Sequence, residues 1–242
     1  ANTDTDLDGD HDTGGAVNGQ AGEVYISGAF GRLAMGDVDG AAQAAVGQVD
    51  GVGLTGLGDW NEIIYMTGKT DPSMLYSYTT GQISFYLSAE QPLGGNHAWG
   101  AGFRWANDAY SFGLGYESAS DNPDLGAIAG RIDQIVLGGS ATFSGITLKA
   151  VYAMTESTLT PVGDEDSYAI SASGTFSGVG VTAFYREDFG GSGAYGLGAS
   201  YDLGGGASIV GGVVRLPDFA NDGTTLPTAG DVVSDFGLSF TF

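Results

Sequence analysis

The sequence predicts an all-β protein, an antiparallel up-and-down transmembrane β-barrel, and three observations support this prediction. Apolar residues alternate with small or polar residues at a period of two through most of the chain, as in strands that have one apolar face. The strands come in pairs joined by tight turns rich in glycine, which is typical of antiparallel hairpins. Longer polar connections separate the pairs, so short turns and long loops should lie at opposite ends of the barrel.

The last stretch, Asp231–Phe242, shows the alternation most clearly and ends on an aromatic residue. One face would carry Phe236, Leu238, Phe240 and Phe242, and the other Asp235, Gly237, Ser239 and Thr241. The same alternation places Arg104 and Lys149 on the polar face of their strands. A cation that faced lipid at mid-depth would cost about 2–4 kcal/mol, so the polar face is expected to line the interior.

About 13 strands follow in order along the chain, without a helical pattern of useful length and without a second domain. The predicted strands are Glu23–Phe30, Arg32–Asp37, Met74–Thr79, Ile83–Ala89, Ala98–Ala106, Ala109–Glu117, Ile132–Phe143, Ile146–Thr155, Tyr168–Phe176, Val179–Glu187, Tyr195–Leu203, Ala207–Arg215 and Asp231–Phe242. Residues 1–22 have no periodicity and are predicted to form a loop. The segment Val38–Pro72 is unusually long for a connection, and connections of that length are often functional.

Composition excludes several classes of protein. The 29 acidic and 7 basic residues give a net charge of −22, which excludes nucleic-acid binding because phosphate neutralisation needs clustered Lys and Arg. Cysteine is absent, so there is no disulfide framework and no thiolate chemistry. No run approaches the roughly 20 apolar residues of a membrane-spanning helix. No basic region followed by an apolar run opens the chain, so we expect a signal peptide to be either absent or already removed.

The first loop contains a possible calcium motif. Asp4, Asp6, Asp8, Gly9 and Asp12 give the spacing D-x-D-x-D-G-x-x-D. Ca²⁺ takes several oxygen ligands from a tightly turning loop, and the glycine permits such a turn. The glutamate that closes an EF-hand loop is missing, and no helical pattern flanks the motif. A calcium site at the four aspartates and a simply solvated acidic loop are both compatible with these residues.

Several segments together resemble a known family. They are EVYISGAFGRLAMGD at 23–37, LYSYTTG at 75–81, YGLGASYDLGGGASIVGG at 195–212 and the terminal Phe242. These segments, at their spacing, resemble the general porins of purple photosynthetic bacteria. The resemblance implies an outer-membrane barrel, usually a homotrimer, in lipid and lipopolysaccharide, with a water-filled channel for small hydrophilic solutes and ions. It also implies that residues 38–72 fold into the barrel as a constriction loop and that residues 1–22 are an external loop.

The resemblance leads to two further expectations. Porins of this kind have about 16 strands, so the chain is expected to lack about three N-terminal strands of the family pattern. The constriction is expected to carry acidic residues on the inward loop and basic residues on the barrel wall, and the charge of such residues selects among solutes. The acidic candidates are Asp39, Asp50, Asp59 and Glu62, and the basic candidates are Arg32, Arg104, Lys149 and Arg186. Ordinary solvation of the acids and rim positions for the bases are the alternatives.

Catalysis has little support in the sequence, and we predict that the protein is not an enzyme. The only histidines are His11 and His97, and no nucleophile motif accompanies either of them. No cofactor is predicted apart from possible Ca²⁺ at acidic loops. Two other functions remain open at this point: a soluble, secreted, calcium-binding all-β adhesin or lectin-like protein, and a barrel with a plugged interior that serves as an anchor.

Overall fold

The computed structural model describes residues 22–66, 73–90, 97–120, 130–158, 164–188, 191–217 and 230–241. These residues form one sheet of 13 strands, in which every strand pairs with its neighbours in sequence order. The first and last strands are the two edges of this sheet. The predicted all-β, up-and-down antiparallel fold is therefore confirmed, and so is the predicted number of strands.

The strands lengthen toward the middle of the sheet. They are β1 Glu23–Gly28, β2 Gly31–Gly36, β3 Ser73–Thr80, β4 Ile83–Glu90, β5 His97–Ala106, β6 Tyr110–Ser120, β7 Arg131–Phe143, β8 Ile146–Ser157, β9 Glu165–Phe176, β10 Val179–Asp188, β11 Ser192–Gly204, β12 Ala207–Arg215 and β13 Val232–Phe240. A short helix α1, Ala41–Val46, and a 3₁₀ turn, Gly56–Gly58, lie in the long connection between β2 and β3.

The tight turns explain the antiparallel pairing. Ser144 and Gly145, between β7 and β8, have φ values of 52° and 80°, and Ser177 and Gly178, between β9 and β10, have φ values of 51° and 85°. Two consecutive residues with positive φ match a type I′ turn, whose twist suits adjacent antiparallel strands. These turns and the other short connections lie at one end of the sheet, which we call the short-turn end.

The two faces of the sheet differ in the size and polarity of their side chains. The outer face carries large exposed apolar residues such as Phe85, Leu114, Leu148, Leu197 and Phe236. The inner face is covered over much of its area by the connection between β2 and β3. The register places Arg32, Arg104, Lys149 and Arg186 on the inner face. Arg131 and Arg215 belong to the outer face, at strand ends that lead into long connections.

Some element boundaries differ from those predicted. Strand β9 begins at Glu165 and β11 at Ser192, three residues before the predicted Tyr168 and Tyr195 in each case. Helix α1 was not predicted at all. Within the described ranges, no helix has both the length and the apolar character that crossing a membrane requires. The proposed calcium motif and nearly all of the predicted loop 1–22 lie outside the described residues.

Candidate functional site

The candidate site is the connection between β2 and β3, described from residue 37 to residue 66 and called here the inner segment. Its helix α1 lies on five inner-face glycines, which we call the glycine bed: Gly100, Gly102, Gly113, Gly115 and Gly138. A Cβ atom at Gly113 would come within 2.6 Å of the Ala45 carbonyl oxygen, and one at Gly138 within 2.5 Å of Val46 Cγ1. Side chains at these positions would therefore push α1 away from the strands. The N–H of Ala41 also donates to Ser88 Oγ at 2.8 Å.

Beyond α1, the inner segment is fastened to β8 and β9 through Asp50. Lys149 Nζ lies 2.6 Å from Asp50 Oδ1, and Ser173 Oγ donates to Asp50 Oδ2 at 3.0 Å. The backbone N–H of Asp50 donates to Ser171 Oγ at 3.0 Å. Hydrogen bonds to a charged group are stronger than neutral ones, so this carboxylate is an effective attachment point.

The inner segment then reaches the far edge of the described sheet. Val52 packs with Phe184, Ala194 and Val214 in a buried apolar cluster. Asp235 on β13 accepts hydrogen bonds from the N–H of Thr55 at 2.7 Å and from its hydroxyl at 2.8 Å. The inner segment is thus held at both sides, from β4 to β13.

The last part of the inner segment runs back along its own middle part. Gln48 donates to the Ile63 carbonyl at 2.9 Å and accepts from the Ile63 N–H at 3.0 Å, so one amide replaces a pair of strand hydrogen bonds. Asn61 Nδ2 donates to the Val49 carbonyl at 2.8 Å. The Tyr65 hydroxyl donates to the Gly47 carbonyl at 2.6 Å. Burial, together with nearby Glu117, Glu62 and Asp39, raises the pKa of Tyr65, so this hydroxyl stays protonated.

Two buried polar residues of the strands hydrogen-bond to the backbone of this last part of the inner segment. Glu117 accepts a hydrogen bond from the N–H of Met66 at 2.6 Å, and Gln134 donates to the Ile64 carbonyl at 3.0 Å. Both side chains are fully buried. Buried backbone N–H and carbonyl groups need hydrogen-bond partners. These two side chains supply partners for the last part of the inner segment, which has no strand beside it.

The four predicted acidic residues occupy different environments on the inner segment. Asp39 and Asp59 are exposed, while Asp50 and Glu62 are half-buried. Asp50 contacts one of the predicted bases, Lys149. Partial desolvation by the surrounding chain, with a smaller contribution from the Asp37 charge, raises the pKa of Asp39. Asp39 therefore loses its charge at a higher pH than an ordinary aspartate as the pH falls.

The four predicted bases share the inner face but contact different groups. Arg32 pairs with Glu23 and lies 4.4 Å from the centre of the Tyr25 ring. Arg104 donates to the Ala45 carbonyl at 3.1 Å, and Lys149 contacts Asp50. Arg186 is 7% exposed and lies 6.0 Å from the centre of the Trp60 ring. Their predicted role at a constriction stays a prediction.

For several residues, the role in positioning the inner segment was not predicted from the sequence. Asp235, Gln48, Glu117, Gln134 and the glycine bed all belong to this group. The glycine bed could have been recognised in the sequence, because four of the five glycines fall on the polar face of β5 and β6 at neighbouring positions. Within the described part of the chain, no group of three or more His, Cys, Asp or Glu side chains could hold a metal ion.

Comparison with known proteins gives consistent matches. The family model described as Gram-negative porin matches residues 1–219. A porin of Rhodobacter capsulatus is 36% identical over 267 aligned positions, which cover 96% of this chain and 84% of that protein. A porin structure refined at 1.8 Å resolution is 34% identical, with a TM-score of 0.75 over 91% of this chain and 81% of that one. A triple mutant of Rhodopseudomonas blastica porin is similar in fold, at 22% identity and a TM-score of 0.64, covering 97% of this chain and 81% of the other.

Proposed function

The chain belongs to the Gram-negative porins, and from this membership we propose that its inner segment sets the width and charge of the channel. It is an outer-membrane porin, which forms a water-filled channel for the passive diffusion of small hydrophilic solutes and ions, and it is not an enzyme. Nothing in the fold or in its relatives supports the alternative of a soluble calcium-binding adhesin. Diffusion through such a channel involves no chemical step.

One observation carries the proposed role of the inner segment. The segment lies across the inner face, from the glycine bed under α1 to Asp235 on β13, and both ends of this path are hydrogen-bonded to strands, at Ser88 and at Asp235. A chain in that position occupies space that would otherwise be open to solute. Since the width and the lining charges of a pore determine its selectivity, this segment is the natural place for both.

We assign different roles to the predicted constriction residues. Asp39, Asp59 and Glu62 supply negative charge on the inner segment, and Arg104 and Arg186 supply positive charge on the strands. The charge of Arg32 is largely compensated by Glu23. Asp50 and Lys149 contact each other directly, so their charges largely cancel and they fasten the segment to β8 and β9. The field across the opening is then produced mainly by the residues outside this pair.

We also propose that the protein is a homotrimer, as the family resemblance implies. The test for both channel and assembly is the conductance of the detergent-extracted protein in planar bilayers. We expect insertion events that appear as groups of three equal steps, and solute flux that falls with solute size. A protein that inserts without conductance would contradict the channel, and isolated single steps would contradict the trimer.

Lipopolysaccharide is the second proposed partner, and the outer face supports it near the long connections. Four carboxylates lie there on adjacent strands, all on the outer face: Asp133, Glu156, Asp166 and Glu187. Tyr152 donates to Asp166 at 2.5 Å, and Tyr168 and Tyr185 each donate to Glu187 at 2.8 Å. Divalent cations, which favour oxygen ligands, would bridge these carboxylates to lipid phosphates.

The matching prediction compares neighbouring acids on opposite faces. The double variant Glu156→Gln with Asp166→Asn should retain less lipopolysaccharide after extraction, and chelator should have less further effect on it. Glu165→Gln is the control, because Glu165 lies on the inner face beside Asp166. Bound lipopolysaccharide is quantified by phosphate analysis of the purified protein. Equal amounts in the double variant and the control would contradict the bridge.

Calcium binding at Asp4, Asp6, Asp8 and Asp12 is a further proposal, and it rests on the spacing of the four aspartates alone.

A further inference from the structure

Resting on the channel function, we propose that the inner face carries a binding niche for small tetrahedral oxyanions such as inorganic phosphate, built around Arg104. The niche is a cavity of about 290 Å³ between the inner segment and the strands. At roughly 30 Å³ per water molecule in the liquid, it has room for about ten waters, and therefore for a hydrated small anion. It is lined mainly by Arg104, Ser111, Ser140, Lys149, Gly47 and Gln48.

The niche has a defined place along the channel. Arg104 lies two residues beyond Gly102 of the glycine bed, and Ser111 follows the turn that joins β5 to β6. Ser140 is paired with Lys149 across β7 and β8, and with Ser111 across β6 and β7. The cavity therefore lies between α1 and the short-turn end of the sheet. A solute that enters from the end with the long connections would reach it after the inner segment.

The lining supplies hydrogen-bond donors in excess of acceptors. A guanidinium has five N–H donors, and among the described residues Arg104 uses only Nη1, toward the Ala45 carbonyl at 3.1 Å. Lys149 has three donors, and its described bond is to Asp50 at 2.6 Å. The hydroxyls of Ser111 and Ser140 lie 2.7 Å apart, so they bond to each other and still leave one proton free. Gln48 uses one N–H and its oxygen toward Ile63, and the amide has a second N–H donor.

The charges of the lining favour an anion over a neutral solute. Asp50 compensates Lys149, but no carboxylate of the described residues lies within ion-pair distance of Arg104. One uncompensated positive charge therefore faces the cavity, in a protein whose net charge is −22. The planar guanidinium can bind two oxygens of one anion in parallel, and the ammonium and hydroxyl can reach the others. A tetrahedral oxyanion matches this arrangement better than chloride, which has no separate oxygens to share among the donors.

For transport, the niche would be an intermediate binding site for anions along the permeation path. The acidic inner segment repels anions, and a favourable site just beyond it would offset part of that repulsion. Conduction needs binding that is favourable enough to enter and weak enough to leave. We therefore expect weak, millimolar-range binding that slows other ions while the niche is occupied.

The test is single-channel recording in KCl while inorganic phosphate replaces chloride at constant ionic strength. Phosphate should reduce the open-channel current of the natural protein in a saturable way. Arg104→Gln should raise the half-maximal phosphate concentration about tenfold or more, as expected when a hydrogen bond to a charged group is lost. Arg104→Lys keeps the charge but loses the planar fork, and should raise it about threefold. The control is Arg215→Gln, which removes a base of the outer face, at the end of β12, and should leave the phosphate response unchanged.

The outcomes separate this niche from the channel itself. Normal KCl conductance with no saturable phosphate response, or a response that survives in Arg104→Gln, would overturn the niche and leave the porin function intact. Equal responses in Arg104→Lys and the natural protein would also overturn it, because a general positive potential would then be sufficient. If Arg104→Gln fails to insert, Ser140→Ala takes its place and is expected to weaken the response about threefold. An absence of KCl conductance in the natural protein would instead contradict the channel.

Discussion

Replacing Ala183 with arginine is expected to lower the free energy of unfolding by about 2–4 kcal/mol, because the new guanidinium would face hydrocarbon near mid-depth. Ala183 lies in the middle of β10 on the outer face, paired with Ala172 on β9 and Leu197 on β11. The neighbouring substitution Thr182→Arg is the matched control, since it adds the same charge at the same depth on the inner face. There Thr182 borders a cavity of about 110 Å³, and we expect a cost below about 1 kcal/mol because substitutions that face the lumen change selectivity more than stability.

The measurement is reversible unfolding by urea in lipid vesicles, followed by tryptophan fluorescence and by gel migration without heating. The difference between the two variants tests the assignment of the faces directly. Similar midpoints for Ala183→Arg and Thr182→Arg would mean that the outer face is not in contact with lipid. A larger loss for Thr182→Arg would mean that the two faces are reversed.

The faces of the strands could be predicted from the sequence because the period of two is a local property. Arg104 is flanked by Phe103 and Trp105, which point the other way, and Lys149 is flanked by Leu148 and Ala150. The structure has both cations on the inner face. Strand beginnings were less predictable: Glu165, Asp166 and Ser167 look like loop residues, yet they extend β9. Ser167 is buried on the inner face and Asp166 bonds to Tyr152 on the outer face, so tertiary partners decide this boundary.

The inner segment illustrates what local patterns could not predict. Helix α1 has only six residues and glycines at both caps, which is too short to be stable by itself. It forms because four of its residues are buried against the strands. The attachments at Ser171 and Asp235 lie 121 and 180 residues away in sequence. The path of the segment, and therefore the contact between Asp50 and Lys149, depends on those distant partners.

The glycine bed leads to the second large prediction, which concerns the width of the channel. In Gly102→Val, the new Cβ atom would lie 2.6 Å from the Cβ of Ala45 and closer still to the carbonyl oxygen of Ala41. Backbone atoms of a packed helix cannot move aside cheaply, and overpacking of this kind costs about 1–3 kcal/mol. The strands of the sheet are tied by ladder hydrogen bonds on both sides of β5. Helix α1 is therefore the part that yields, and it can move only toward the channel axis.

We expect this displacement to narrow the opening, so that single-channel conductance in KCl falls by roughly half and larger solutes are excluded first. Ala101→Val is the control, because it adds a valine one residue away on the outer face, where no part of the inner segment lies. Conductance of Gly102→Val equal to that of the control would show that α1 is not seated on the glycine bed. A higher conductance would contradict the expected narrowing. It would mean that moving α1 away from the strands widens the path for solutes. If the conductance falls in Gly102→Val and not in the control, the absence of a side chain at position 102 contributes to the rate at which solutes cross the membrane.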